Sequence, residues 1–109
     1  MTYASKPDAN QTQVVEELRA RGCKVDHTHT LRAGRPDIVV GYVGWLFWLE
    51  LKSGPRKKLT PKEAEFHSEW DGMPVLRVDS CEDAMHKMNL WIGGWVLMYA
   101  DQFTEKVQP

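Results

Sequence analysis

The sequence predicts a mixed α/β domain, a β-sheet flanked by helices in the order αβββαβα. Three features carry that expectation. Two apolar runs rich in Val, Trp, Phe and Leu flank Gly41-Tyr42-Val43-Gly44, the pattern of a β-hairpin closed by a tight turn. Helix-start chemistry recurs at Asp8, Thr60 and Ser80. A short apolar stretch from Pro74 to Val78 supplies a further strand between the second and third helices.

Met1 to Pro7 reads as a loose lead-in. Asp8-Ala9-Asn10-Gln11 has the form of a capping box, with Asp8 as N-cap and Gln11 at the third helical position. The first helix then carries Val14, Val15 and Leu18 inward, keeps Glu16, Glu17, Arg19 and Arg21 in water, and stops at Gly22. Cys23 to Thr30 alternates enough for a short outer strand, and Leu31 to Arg35 is a loop with two arginines. After the hairpin, Ser53 to Leu59 forms a cationic loop. Thr60-Pro61-Lys62-Glu63 opens the second helix, with Thr as N-cap, Pro at the first position and Glu at the third. Phe66, Trp70 and His67 give that helix its apolar side, and Gly72 ends it. Ser80-Cys81-Glu82-Asp83 caps a third helix carrying Ala84, Met85, Met88 and Leu90. From Trp91 to Pro109 the chain is expected to form a tail, in which Trp95 to Tyr99 is either an additional strand or an association surface.

With 109 residues, 42% hydrophobic and 27% charged, the chain suits one globular domain with a core of its own. No apolar run approaches the roughly 20 residues of a membrane helix, and the polar N-terminus does not resemble a signal peptide. Cys23 and Cys81 lack metal-type spacing and read as reduced structural thiols, so a cytoplasmic setting is expected. The net charge of −1 excludes a general polycation, so an anionic partner must meet a local basic patch. No internal repeat, low-complexity segment or linker interrupts the chain.

The hairpin carries the candidate chemistry. If Val43 and Gly44 form a two-residue loop, Tyr42 faces Trp45 and Asp37 falls opposite Glu50. Directly opposed Cβ atoms on antiparallel strands lie roughly 4.5–5.5 Å apart, close enough for two carboxylates to share a cation. Lys52 follows Glu50 by two residues and therefore shares its face. Trp45, Phe47, Leu49 and Leu51 point one way, Leu46 and Trp48 the other, as in a strand covered on both sides. Charged groups at the end of such a strand are either a simple ion pair at the sheet's rim or a site.

Gly34-Arg35-Pro36-Asp37 followed by Leu49-Glu50-Leu51-Lys52 resembles the signature of the PD-(D/E)XK nuclease superfamily. Leu59-Thr60-Pro61-Lys62-Glu63 leading to Phe66-His67 resembles the next helix of its virus-type replication-repair (VRR-NUC) branch. The order of elements is similar to that branch and to archaeal Holliday-junction resolvases. The resemblance covers about residues 8–90 and does not reach the tail. It implies a restriction-endonuclease-like sheet and a Mg²⁺- or Mn²⁺-dependent endodeoxyribonuclease acting on structured or branched DNA. The expected setting is repair, recombination or phage replication in a bacterial cytoplasm.

By that resemblance Asp37 and Glu50 are the metal-binding carboxylates, the Leu51 backbone carbonyl is a third oxygen ligand, and Lys52 completes the catalytic set. Lys52 either orients or deprotonates the attacking water or sets positive charge beside the phosphate, and the electrostatic role is favoured because lysine ammonium groups are ordinarily charged at neutral pH. Where many relatives carry a glutamate on the first helix, this chain has Gln11. Its amide oxygen would bind the metal, Asp8 or Glu17 would substitute, or Gln11 only caps the helix. Glu63 replaces a glutamine found in many relatives and serves either the cap or the site. Arg32, Arg35, Arg56, Lys57, Lys58 and Lys62 bracket the acidic pair as candidate phosphate contacts, and nothing resembles a base-reading module. His27 and His29 share a strand face but lack further ligands for zinc, and Trp91 and Trp95 suggest a homodimer. Two other readings stay open: a catalytically inactive nucleic-acid-binding module on the same fold, and a protein-interaction domain in which the acids and the lysine merely pair.

Overall fold

The computed structural model describes residues 9–28, 30–31, 34–52, 58–71 and 75–107. In chain order the elements are α1 (Ala9–Ala20), β1 (Lys24–His27), β2 (Ile38–Tyr42), β3 (Trp45–Leu51), α2 (Pro61–Glu69), β4 (Val75–Val78) and α3 (Cys81–Val107). The four strands form one mixed sheet in the order β1-β2-β3-β4. The first two pairings are antiparallel and β3–β4 is parallel. This is a mixed α/β architecture.

Local chemistry explains most boundaries. Gly22, at φ 91°, ends α1 in a Schellman arrangement: the Cys23 amide donates to Leu18 O (3.1 Å) and the Gly22 amide to Arg19 O (3.0 Å). The proposed N-cap, Asp8, and the proposed stop after α2, Gly72, lie outside the described residues. Thr60 caps α2 in a full capping box with Glu63, and Pro61 occupies the first helical position. At the start of α3 the Asp83 amide donates to Ser80 Oγ (3.0 Å), and Asp83 Oδ2 accepts from the Asp79 amide (3.0 Å).

The hairpin adopts the expected register, with Tyr42 opposite Trp45 and Ile38 opposite Leu49. Val43 (φ 44°) and Gly44 (φ 87°) both sit in the left-handed region, as a type I′ turn requires. Glycine suits that conformation; a β-branched valine is strained in it.

One face of the sheet builds the core. Val25, Ile38, Val40, Phe47, Leu49 and Val78 pack against Val14, Val15 and Leu18 of α1 and Cys81, Ala84 and Met88 of α3. The opposite face of β3 is met by α2. Cys23 and Cys81 are free thiols buried on the core side. Burial pushes both thiols above their ordinary range, which suits inert packing groups.

The expected tail is instead a continuation of α3, which runs unbroken for 27 residues, about 40 Å. The expected extra strand from Trp95 to Tyr99 does not form. Gly93 and Gly94 cost the helix about 1 kcal/mol each relative to alanine, but they lie between two anchors. Trp91 and Trp95 pack edge-on against Trp45 at 5.2 and 5.3 Å, and Trp91 also meets Phe47 at 6.1 Å. Tyr42 adds a hydrogen bond from its hydroxyl to Asn89 Oδ1 (2.8 Å). Leu90, expected on the buried stripe, is 61% exposed, because Trp91 and Ile92 take the inward positions. Among the described residues no helix is long and apolar enough to cross a membrane.

Candidate active site

The site lies where β2 begins and β3 ends. Pro36 is fully buried, and its carbonyl accepts from Thr28 Oγ1 (2.7 Å), while the Thr28 amide donates to Asp37 O (2.8 Å). The end of β1 thus holds the Pro36-Asp37 backbone in place. One step beyond the Ile38–Leu49 pair, Asp37 falls opposite Glu50. The Leu51 amide donates to Asp37 Oδ2 at 2.7 Å, so the aspartate reaches across to the partner strand. That bond uses the Leu51 amide; the carbonyl of the same residue is the atom proposed for the metal.

Glu50 is 1% exposed, and among the described residues no hydrogen-bond donor reaches its Oε1. Its pKa is raised to about 10, first by burial, then by the hydrogen bond with Asp37 and the charges of Asp37 and Glu63; Lys52 pulls it down. The two facing carboxyls are therefore stable when one of them carries a proton. A divalent cation would do the same electrostatic service, and the pair fits one on this ground: two oxygen donors, one of them buried and unpaired. Among the described residues no three His, Cys, Asp or Glu side chains form a ready cage, so a cation here would keep open positions for water and substrate.

Lys52 closes the strand, its amide donating to Val78 O at 2.9 Å. Its ammonium pairs with Glu63 Oε1 at 2.9 Å, both side chains mostly shielded. The same oxygen accepts from the Thr60 amide at 2.8 Å. Burial pushes the Glu63 carboxyl up, but the Thr60 amide and the Lys52 ammonium hold it below its usual range. The cap residue of α2 is thus also the partner of the lysine. One turn later His67 has a buried Nε2 without a hydrogen-bond partner among the described residues, and burial holds its ring below the usual histidine range, opposed by Glu63 and reinforced by Lys52.

Gln11 is buried at the start of α1, where its Nε2 lies 3.1 Å from Nδ1 of His27 on β1. Of the expected phosphate contacts, Arg32, Arg56 and Lys57 lie outside the described residues, as does His29. Lys58 and Lys62 are exposed beside the N-terminus of α2. The Arg35 guanidinium sits 4.5 Å from the centre of the Phe66 ring, a cation–π contact. Gly34, at φ 86°, lets this loop touch α2: a Cβ there would come within 2.6 Å of Lys62 O. Comparison with protein-family models, curated proteins and solved structures found no match.

Two groups near the carboxylates were not singled out from the sequence. Arg77 pairs with Glu50 in the parallel register and so shares its face. Trp48 packs on Phe66 (5.9 Å) and Trp70 (5.6 Å), and Phe66 stacks on Trp70 at 5.2 Å. The spacing of Glu63, Phe66, His67 and Trp70 at i, i+3, i+4 and i+7 signals that shared helix face.

Proposed function

We propose that this chain is a Mg²⁺- or Mn²⁺-dependent endodeoxyribonuclease of the PD-(D/E)XK type, with a restriction-endonuclease-like sheet, acting on structured or branched DNA. The observation that carries the reading is the meeting of Asp37 and Glu50 at the hairpin's open end, with Lys52 on the same face. A bound divalent cation supplies a more acidic water and neutralises charge on the phosphate oxygens. Asp37 is oriented for that task by the Leu51 amide and Glu50 by its buried position. Lys52 offers its ammonium to the phosphate as charge develops, and Glu63 positions it. Exposed Lys58 and Lys62, with Arg35, are the groups this reading assigns to the DNA phosphates.

The Lys52–Glu63 ion pair favours a second reading, in which the lysine charge is already satisfied and the fold only binds nucleic acid. One experiment separates the two. The pure protein is incubated with linear, flapped, splayed and four-way DNA in Mg²⁺, Mn²⁺ or chelator. The nuclease reading expects metal-dependent cleavage that falls by at least about 10²-fold in Asp37→Ala and Lys52→Ala, both still folded. Binding without cleavage under every metal establishes the second reading; cleavage undiminished in both variants removes the site. A homodimer belongs to the same proposal, since Leu90, Val96, Leu97 and Met98 are exposed along α3. Sedimentation of a single 12.6 kDa species at working concentrations would exclude it.

A further inference from the structure

The aromatic side of α2 has a feature that the proposed chemistry does not use. Trp70 is 40% exposed, although its ring is held on two sides, stacked on Phe66 at 26° and met edge-on by Trp48 at 79°. An indole that is both fixed and open presents a π-surface at little cost in conformational entropy. Next to it is a cavity of about 210 Å³ lined by Arg35, Lys62, Glu65, Phe66, Glu69 and Trp70. Its lining is chemically mixed. The two glutamates oppose a phosphate held by Arg35 and Lys62 alone, and an aliphatic ligand would strip water from charged side chains that are otherwise exposed. A nucleobase satisfies both requirements, offering a flat face to the indole and exocyclic amines to carboxylates, while Arg35 and Lys62 meet the flanking phosphates.

The position relative to the carboxylates agrees. Trp48 is two residues before Glu50 on the same strand face, and Arg35 is two residues before Asp37. Trp70 lies about 10 Å along the α2 axis from Glu63, the partner of Lys52. We infer that Trp70, with Phe66 stacked on it and Arg35 lining the same cavity, is a stacking site for one unpaired base of the DNA strand that enters the Asp37–Glu50 site. The inference rests on the nuclease reading for the identity of the strand. It narrows the substrate class to DNA with an unpaired nucleotide beside the cut, and it favours cytosine, adenine or guanine over thymine, which lacks an exocyclic amine.

Binding measured in chelator tests this without cleavage, so its failure and that of the nuclease reading are distinguishable. Fluorescence anisotropy compares a flapped duplex with a fully paired duplex of the same length. Trp70→Ala is expected to weaken binding of the flapped DNA roughly tenfold and leave the paired duplex within about twofold, and Trp70→Phe is expected to restore much of the loss. Equal loss on both substrates, or no loss on either, overturns the inference. A second measurement uses the wild-type protein. A flap carrying 5-iodocytosine is irradiated in the complex, and crosslinking at Trp70 supports the stacking site, whereas crosslinks confined to other residues overturn it. Tighter binding of an RNA flap than of the DNA flap would overturn the assignment to DNA.

Discussion

The two faces of the sheet are built on different terms. Toward α1 and α3 the side chains are apolar and closely packed, with Leu18, Ile38, Val40, Phe47, Leu49, Ala84 and Met88 all at 0% exposure. Toward α2, β3 contributes Trp48 and Glu50, and Lys52 follows directly after the strand. On that side lie the buried polar atoms left without a hydrogen-bond partner among the described residues: Trp48 Nε1, Glu50 Oε1 and His67 Nε2. Each such group costs about 1–3 kcal/mol, and more if charged. One layer therefore holds the fold together, and the other carries groups whose arrangement opposes it. Departures from full polar satisfaction of this kind concentrate at functional sites.

Removing a side chain from the stabilising layer has the largest expected effect on stability. Phe47→Ala should cost about 3–5 kcal/mol, read as a lowered denaturant midpoint. A loss below about 1 kcal/mol would mean that the core face is not the principal support.

The α2 face is expected to act in the opposite sense through Glu50. Its carboxyl is held protonated in the folded chain, with a pKa of about 10 against an ordinary 4.5. A raised pKa contributes stability that is complete below pH about 4.5 and lost as pH rises toward about 10, because the unfolded chain gives up the proton first. The slope should approach, at most, about 1.4 kcal/mol per pH unit. Glu50→Gln should flatten it, and Mn²⁺ should raise the melting temperature of the wild type more at pH 8 than at pH 6, but not that of the variant. A wild-type stability that climbs with pH through neutrality would refute the shared-proton description.

Gly34→Ala should cost about 1–3 kcal/mol, since φ 86° is strained for alanine and the new methyl would meet the Lys62 backbone. Cleavage should suffer more than stability if the loop positions Asp37 through α2, and kinetics beside calorimetry will separate the two. The smallest effect is expected at the hairpin tip. Val43→Asn should gain about 1 kcal/mol by relieving a strained φ at a position 70% exposed, with activity unchanged. No gain would indicate that Val43 is not strained there.

Much of this was legible because it depends on neighbours in the chain. The hairpin register follows from turn length and strand alternation, so the Asp37–Glu50 opposition could be read from residue spacing. The α2 cap at Thr60, Pro61 and Glu63 and the α1 stop at Gly22 follow from local hydrogen bonding. Where the chain's own preferences were weak, the reading failed. Gly93-Gly94 weakens the helix locally, and α3 runs on through them where Trp91 and Trp95 pack against Trp45, about 46 to 50 residues earlier.

The sequence by itself determined the strands and helix starts, and it aligned two acids and a lysine along one edge. Only the tertiary structure decided that Lys52 pairs with Glu63 rather than Glu50, that Gly34 must yield space to Lys62, and that Trp70 stays open beside a fixed aromatic stack. The reason is range. Backbone conformation and capping act over a few residues, whereas the desolvation of a carboxylate and the partner of an ammonium depend on which helix folds over them.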